Sequence, residues 1–227
     1  MFNKKKIIAI IPARGGSKRI KDKNIVNFDG KPILKKTLDV AKKCKYIDKI
    51  VVSSESKRIL TYANKEGIDT PFLRPRAYGD KASIHEATLV ALEQSEKLFG
   101  KFDVVVQLMP NCPFRKLKTL KLCIENFFQK KKNSQISFFE YGFSNPRWAH
   151  KIINQKIIPL NKQNLFKRSQ DMQKLYCPTG SIWISKIKTL RKYKTFYSPF
   201  YGYFLMNFEE SIDIDTSEDL KIAKKFI

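Results

Sequence analysis

Ile7-Ile8-Ala9-Ile10-Ile11 is an unbroken apolar run between Lys4-Lys5-Lys6 and Pro12. A run this short, apolar at every position, reads as a strand buried on both faces, as in a parallel sheet covered by helices. After Pro12, Ala13 and Arg14 come two glycines, Gly15 and Gly16, which permit a tight turn with close backbone approach. Arg14, Lys18, Arg19, Lys21 and Lys23 then gather positive charge where the amides of a turn already favour an anion. A buried strand, a glycine turn and clustered cations suit a triphosphate and point to an enzyme that handles a nucleotide.

The rest of the chain repeats the strand-then-helix rhythm. Pro32 stands near the first turn of a predicted helix, where its missing N–H costs least, and Ile33, Leu34, Thr37, Leu38 and Ala41 fall on one face of it. Residues 49–53 read as a strand, 56–66 as a helix ending at Gly67, and Pro71-Phe72-Leu73 as a short third strand. Ile84, Ala87, Thr88, Ala91 and Leu92 mark another helix, 103–108 a strand, and 117–128 a further helix. Such repetition predicts an α/β fold with a mostly parallel sheet covered on both faces. Ligands of such sheets sit outside the carboxyl ends of the strands, where the Arg14-Gly15-Gly16 turn lies. The rhythm stops near Ser137. Residues 138–176, rich in aromatic, Asn, Gln and Lys side chains, read as an insertion. Strands resume at Gly180-Ser181-Ile182-Trp183-Ile184 and Tyr203-Phe204-Leu205-Met206. A helix over 217–226, with Thr216 and Asp219 spaced as a capping box, closes the chain.

Composition narrows the function classes. The 227 residues, 42% of them apolar with 17 Phe and 9 Tyr, fill one large domain with a modest insertion. The net charge of +24 could indicate nucleic acid or an anionic membrane. Its lysines are spread along the whole chain, however, with no recognition helix or aromatic binding platform, so solvated faces account for most of it and neither partner is expected. Cys44, Cys112, Cys123 and Cys177 form no Cys-x-x-Cys pair, and His85 and His150 form no metal motif, so reduced thiols in a cytoplasm are the expectation. The first apolar run meets Arg14-Gly15-Gly16 instead of a small-residue cleavage site, and no run approaches a membrane span.

Asp213 and Asp215 alternate with Ile212 and Ile214, so in an extended segment both carboxylates share one face. They either hold a cation between them, Mg²⁺ being a hard ion suited to carboxylates and phosphates, or form an acidic turn that caps the last helix.

The motif Ile-Pro-Ala-Arg-Gly-Gly-Ser-Lys-Arg-Ile-x-x-Lys-Asn, residues 11–24, closely resembles the loop of the cytidylyltransferases that activate nine-carbon acidic sugars, the CMP-sialic acid synthetase family with its legionaminic and pseudaminic acid relatives. The likeness continues through Leu73-Arg74-Pro75 and Asp80-Lys81-Ala82-Ser83, which resemble the segment near base and ribose, and through Pro110-Asn111-Cys112-Pro113-Phe114-Arg115. Arg168-Ser169-Gln170-Asp171 resembles a basic segment beside the sugar, Pro178-Thr179-Gly180-Ser181-Ile182-Trp183 parallels a Pro-Asn-Gly-Ala-Ile-Tyr motif, and the segment 211–216 resembles a metal-binding element.

The resemblance implies a Rossmann-like three-layer nucleotidyltransferase fold with a small dimerisation arm over about 138–176 and a homodimer. It implies transfer of CMP from CTP to an acidic nonulosonate, with Mg²⁺ on Asp213 and Asp215. The implied nucleotide contacts are Ala13, Arg14, Gly15, Gly16, Ser17, Lys23, Asn24, Arg74, Ala82 and Ser83. Arg14, Lys23 and Asp215 take catalytic roles, and Met109, Asn111, Arg168 and Thr179 face the sugar. Met109, Asn111, Cys112, Cys177 and Thr179 depart from the family pattern, and all of them lie on the sugar side. The alternative substrate is the eight-carbon acid Kdo, whose enzymes carry a similar loop without the Gly-Gly-Ser-Lys form. Trp183 and Phe143 are expected as core or dimer contacts, and His85 without a catalytic task.

Overall fold

The computed structural model describes residues 1–70, 72–75, 77, 82–142 and 144–227. β1 (Ile7–Pro12) leads through the glycine turn to a 3-10 turn, Lys23–Ile25, and a small ribbon of β2 (Asn27–Phe28) with β3 (Lys31–Pro32). There follow α1 (Ile33–Lys43), β4 (Lys49–Ser53), α2 (Lys57–Lys65), α3 (Ile84–Phe99), β5 (Val104–Gln107), α4 (Leu117–Gln129) and β6 (Ser134–Glu140). The second half holds a hairpin of β7 (His150–Ile153) and β8 (Lys156–Pro159), then β9 (Tyr176–Lys186), α5 (Ile187–Tyr193), β10 (Gly202–Leu205), α6 (Phe208–Ser211) and α7 (Ser217–Ala223). Among the described residues no helix is long and apolar enough to cross a membrane.

Six strands form one sheet in the order β10-β6-β9-β5-β1-β4. β1 pairs in parallel with both β4 and β5, and β10 with β6, whereas β9 runs antiparallel to β5 and β6. β9 is therefore the one strand of this sheet that points the other way. The opening apolar run occupies the place its composition predicts: all six residues of β1 are buried. Because side chains alternate across a strand, Ile7, Ala9 and Ile11 meet Leu34 and Leu38 of α1 and Leu120 and Phe127 of α4 on one face. Ile8 and Ile10 meet Ala91 and Leu92 of α3 and Leu190 of α5 on the other. Each fully buried Ile contributes roughly 1.5–3 kcal/mol, so two-sided burial anchors β1 at the centre of three layers.

Several sequence expectations need correction. Lys31 and Pro32 belong to the β-ribbon, and α1 begins one residue later, at Ile33. The proposed strand at 71–73 falls partly outside the described residues, at Pro71. Phe72 and Leu73 carry no ladder, because this stretch hangs from a turn instead: Arg74 N donates to Ser54 O at 2.9 Å. The insertion placed at 138–176 is shorter in the fold, since Phe138, Phe139 and Glu140 still pair with Pro178, Cys177 and Tyr176 in the main sheet. The final helix stops at Ala223 and tightens into a 3-10 turn over Lys224–Phe226. Phe143 lies outside the described residues, as do Asp80 and Lys81. Trp183 does pack as expected, against His85, Phe196 and Tyr197.

Two capping boxes start helices beside the carboxyl end of the sheet. Ser83 Oγ accepts from Glu86 N at the start of α3, and Thr216 Oγ1 accepts from Asp219 N at the start of α7. Thr216→Ala should therefore lower the free energy of unfolding by about 1 kcal/mol in urea titrations.

Candidate active site

At the carboxyl ends of β1 and β5 lies a cleft of about 270 Å³ lined by Arg14, Arg19, Lys23, Asn24, Arg74 and Ala82, with Met109, Asn111, Asp213 and Asp215 opposite. Lys23 comes from the 3-10 turn after β1 and is 7% exposed, while Asp215 comes from the segment between α6 and α7. Lys23 Nζ donates to Asp215 Oδ1 at 2.6 Å, and the Arg19 guanidinium donates to Asp215 Oδ2 at 2.5 Å. Residues from the two ends of the chain thus meet in one ion-pair cluster.

The alternation of Asp213-Ile214-Asp215 explains how the carboxylates are aimed. Ile214 is fully buried with Phe28, Ile33 and Ala223, and its N–H donates to Asn111 O at 3.0 Å. Pinning Ile214 turns its two neighbours toward the cleft. Asn111, 1% exposed, donates through Nδ2 to the Asp213 carboxylate and reaches Asp215 Oδ1 at 3.3 Å, bridging the pair. Arg115 lies behind Met109, outside the cleft lining: buried, it donates to Ser181 O, Thr37 Oγ1 and Met109 O. Burial lowers its pKa to about 10, so it stays charged at neutral pH.

The two carboxylates titrate differently. Desolvation of its carboxylate by the cleft walls, and next the negative charge of Asp215, push Asp213 up to about 6, although the residue keeps an exposed edge. Burial also works against ionisation of Asp215, but Lys23 and then Arg19 outweigh it and hold Asp215 below the usual carboxylate range. Asp213 is thus a carboxylate with an exposed edge, an amide donor and, among the described residues, no ion pair, in an all-oxygen pair with Asp215. That donor set fits Mg²⁺, which takes one or two carboxylates and completes its shell with phosphates and water. Among the described residues no cluster of three or more His, Cys, Asp and Glu side chains competes for a metal.

Three polar atoms of cleft-lining residues are buried without a partner among the described residues: Asn24 Oδ1, Arg74 Nε and Asn111 Oδ1. Orphaned polar groups of this kind are uncommon and mark where a polar ligand would satisfy them.

Other predicted residues sit differently. Ala13 is buried, its N–H donating to Ser53 O at 2.9 Å. The turn amides expected to cradle an anion are partly engaged inside the protein, Gly15 N with Glu55 Oε1 at 2.6 Å and Ser17 N with Gly15 O at 3.0 Å. Gly16 is exposed, and Ser83 caps α3 instead of facing the cleft. Thr179 is buried in an adjoining, mainly apolar cavity of about 400 Å³, with Phe139, Phe208 and Ile212 also in its wall and Asp213 shared between the two spaces. Gly180 lets β9 approach there, because a Cβ would fall 2.8 Å from Met109 Cγ. Arg168 does not join either space: exposed on a 3-10 turn, it donates to Asp171 at 2.7 Å. Sequence reasoning missed Glu55, which accepts from both Gly15 and Arg74, and the signal for it, a lone acid after a predicted strand, is weak.

A cytidylyltransferase family model matches residues 8–226. The chain belongs to the cytidylyltransferase family. It is a nucleotidyltransferase, and relatives agree over its full extent. The enzyme is 31% identical over 220 residues to a pseudaminic acid cytidylyltransferase of Campylobacter jejuni subsp. jejuni, covering 96% of this chain and 95% of the relative. It is 33% identical over 231 residues to a CMP-N,N'-diacetyllegionaminic acid synthase of Legionella pneumophila, covering 98% and 96%. A solved structure of CMP:2-keto-3-deoxy-manno-octonic acid synthetase complexed with CTP superposes with a TM-score of 0.73 over 97% of this chain and 98% of that one; at 14% identity it establishes a shared fold.

The raised Asp213 gives this cytidylyltransferase a pH signature. Its folded value lies above the ordinary 3.8, so the stability it contributes is complete below 3.8 and is lost as pH rises through about 6. Without divalent cation, urea midpoints should show this loss across the window, and Asp213→Asn should remove it.

Proposed function

We propose that the enzyme transfers CMP from CTP to the anomeric hydroxyl of a nine-carbon acidic sugar of the pseudaminic, legionaminic or sialic acid type, releasing pyrophosphate. The observation that carries this reading is the convergence of Arg14, Lys23, Asn24 and Arg74 with Asp213 and Asp215 on one cleft, in a chain matched end to end by cytidylyltransferases. The anomeric hydroxyl attacks the α-phosphorus in line and pyrophosphate leaves, so positioning and charge neutralisation are the main tasks of the protein. Arg14 and Lys23 hold the triphosphate and stabilise the leaving group. Asn24 and Arg74 offer their unpartnered atoms to the nucleotide. Asp213 and Asp215 would hold Mg²⁺, which when bound neutralises phosphate charge, and Asp215 orients the attacking hydroxyl. Met109, Asn111 and Thr179 flank the sugar side, where Asp213 joins the cleft to the apolar cavity.

The same reading makes the enzyme a cytoplasmic homodimer. Ile152, Ile153, Ile157 and Ile158 of the β7–β8 hairpin are 75%, 50%, 69% and 42% exposed, an apolar surface of the kind that marks an interface. Arg168, in the segment that follows the hairpin, belongs to the sugar side in this reading.

Incubation with CTP, Mg²⁺ and a panel of nonulosonic acids should release pyrophosphate with at least one of them; no release with any would overturn the proposal. Lys23→Ala should lower kcat/KM by about 100-fold or more, since it removes a preorganised charge from the reacting phosphates. Asp213→Asn should abolish turnover. Light scattering should give a dimer at micromolar concentration, and a monomer there would rule out the arm as a constitutive interface.

A further inference from the structure

The turn between β4 and α2 touches both walls of the nucleotide cleft without lining it. Ser53 O accepts from Ala13 N at 2.9 Å, and Ser54 O accepts from Arg74 N at 2.9 Å. Between these backbone ties stands Glu55, whose two carboxylate oxygens are divided. Oε1 accepts from Gly15 N at 2.6 Å and Oε2 from the Arg74 guanidinium at 2.6 Å. The neighbouring Ser56 packs so closely that a side chain at Gly15 would lie 2.8 Å from its Cβ. The Arg74 side chain is 2% exposed and that of Glu55 14%, so the pair is a buried one and geometrically defined. Arg74 lines the cleft, where its Nε has no partner among the described residues.

We propose that Glu55 is a positioning residue for the nucleotide: it fastens the glycine turn to Arg74 and so sets the spacing between the phosphate side and the base side of the cleft. This rests on the nucleotide reading given above. A carboxylate is the group such a tie requires, because it accepts at both ends. A glutamine would present an N–H₂ group to one of two donors, and an aspartate, one methylene shorter, would reach one end at a time. The neighbouring charges and N–H groups keep the carboxylate ionised, as burial alone would not.

The test combines calorimetric binding of CTP with steady-state kinetics for the unaltered enzyme, Glu55→Gln, Glu55→Asp, Arg74→Ala and the double variant Glu55→Gln/Arg74→Ala. Glu55→Gln should raise KM for CTP about tenfold or more, with the calorimetric Kd following it. KM for the sugar acid should stay within about twofold. Glu55→Asp should fall between Glu55→Gln and the unaltered enzyme. In the Arg74→Ala background the Glu55→Gln change should add little, because one end of the tie is already gone. A folded Glu55→Gln protein that binds CTP as well as the unaltered enzyme, or better, would overturn the proposal, as would equal rises in both KM values. Should Glu55→Gln not fold, an unchanged KM for CTP in Glu55→Asp overturns it equally. Failure of the unaltered enzyme to bind CTP overturns the nucleotide reading and this inference together, and so is told apart from failure of the inference alone.

Discussion

The ion pair between Lys23 and Asp215 is the contact on which the cleft depends. It joins residues 192 positions apart and leaves the Lys23 side chain only 8% exposed. A buried ammonium without its partner is strongly unfavourable, so the segment before α7 is held against the turn after β1. Asn111 completes the junction from the end of β5, accepting from Ile214 N and donating to the carboxylates on either side of it. Three separate stretches are thus fixed to one another by polar contacts at the carboxyl edge of the sheet, while β1 beneath them is fixed by apolar burial on both faces.

The charges at this junction are deliberately unequal in their surroundings. Asp215 has two cationic partners and is held below the usual carboxylate range; Asp213, partnered by an amide, is pushed above it. Separation of two adjacent carboxylates in this way leaves one of them in need of positive charge, which a divalent cation carried with phosphates would supply. On the other side of the cleft Glu55 answers Arg74 and Gly15, so that the buried Arg74 charge is compensated from behind while its Nε has no partner among the described residues.

Much of this was legible in residue order. The apolar run of β1, the amphipathic faces of α1 and α3, the strand at 49–53 and the capping box before α7 all depend on local periodicity or cap spacing, and all occupy the predicted places. Arg14, Lys23, Asn24, Arg74, Met109, Asn111, Asp213 and Asp215 share the cleft, as their motifs implied. Less legible was the antiparallel direction of β9, since apolar alternation is the same whichever way a strand runs. The engagement of Gly15 and Ser17 amides was also hidden, because a glycine pair reveals that a turn is allowed and not where its N–H groups point. Arg168 carried a recognisable basic motif, yet its guanidinium turns to Asp171 on its own 3-10 turn.

By itself, the sequence determined the layer arrangement and the chemistry available at each end of the chain, because apolar period, glycine placement and cation clustering act over a few residues at a time. Tertiary structure alone decided which groups oppose one another. The pairing of Lys23 with Asp215, the bridge through Asn111 and the tie of Glu55 to Gly15 and Arg74 each join residues far apart in the chain. Their distances follow from how strands β1, β4 and β5 are stacked side by side, and charge interactions vary too steeply with distance and burial for residue order to supply them.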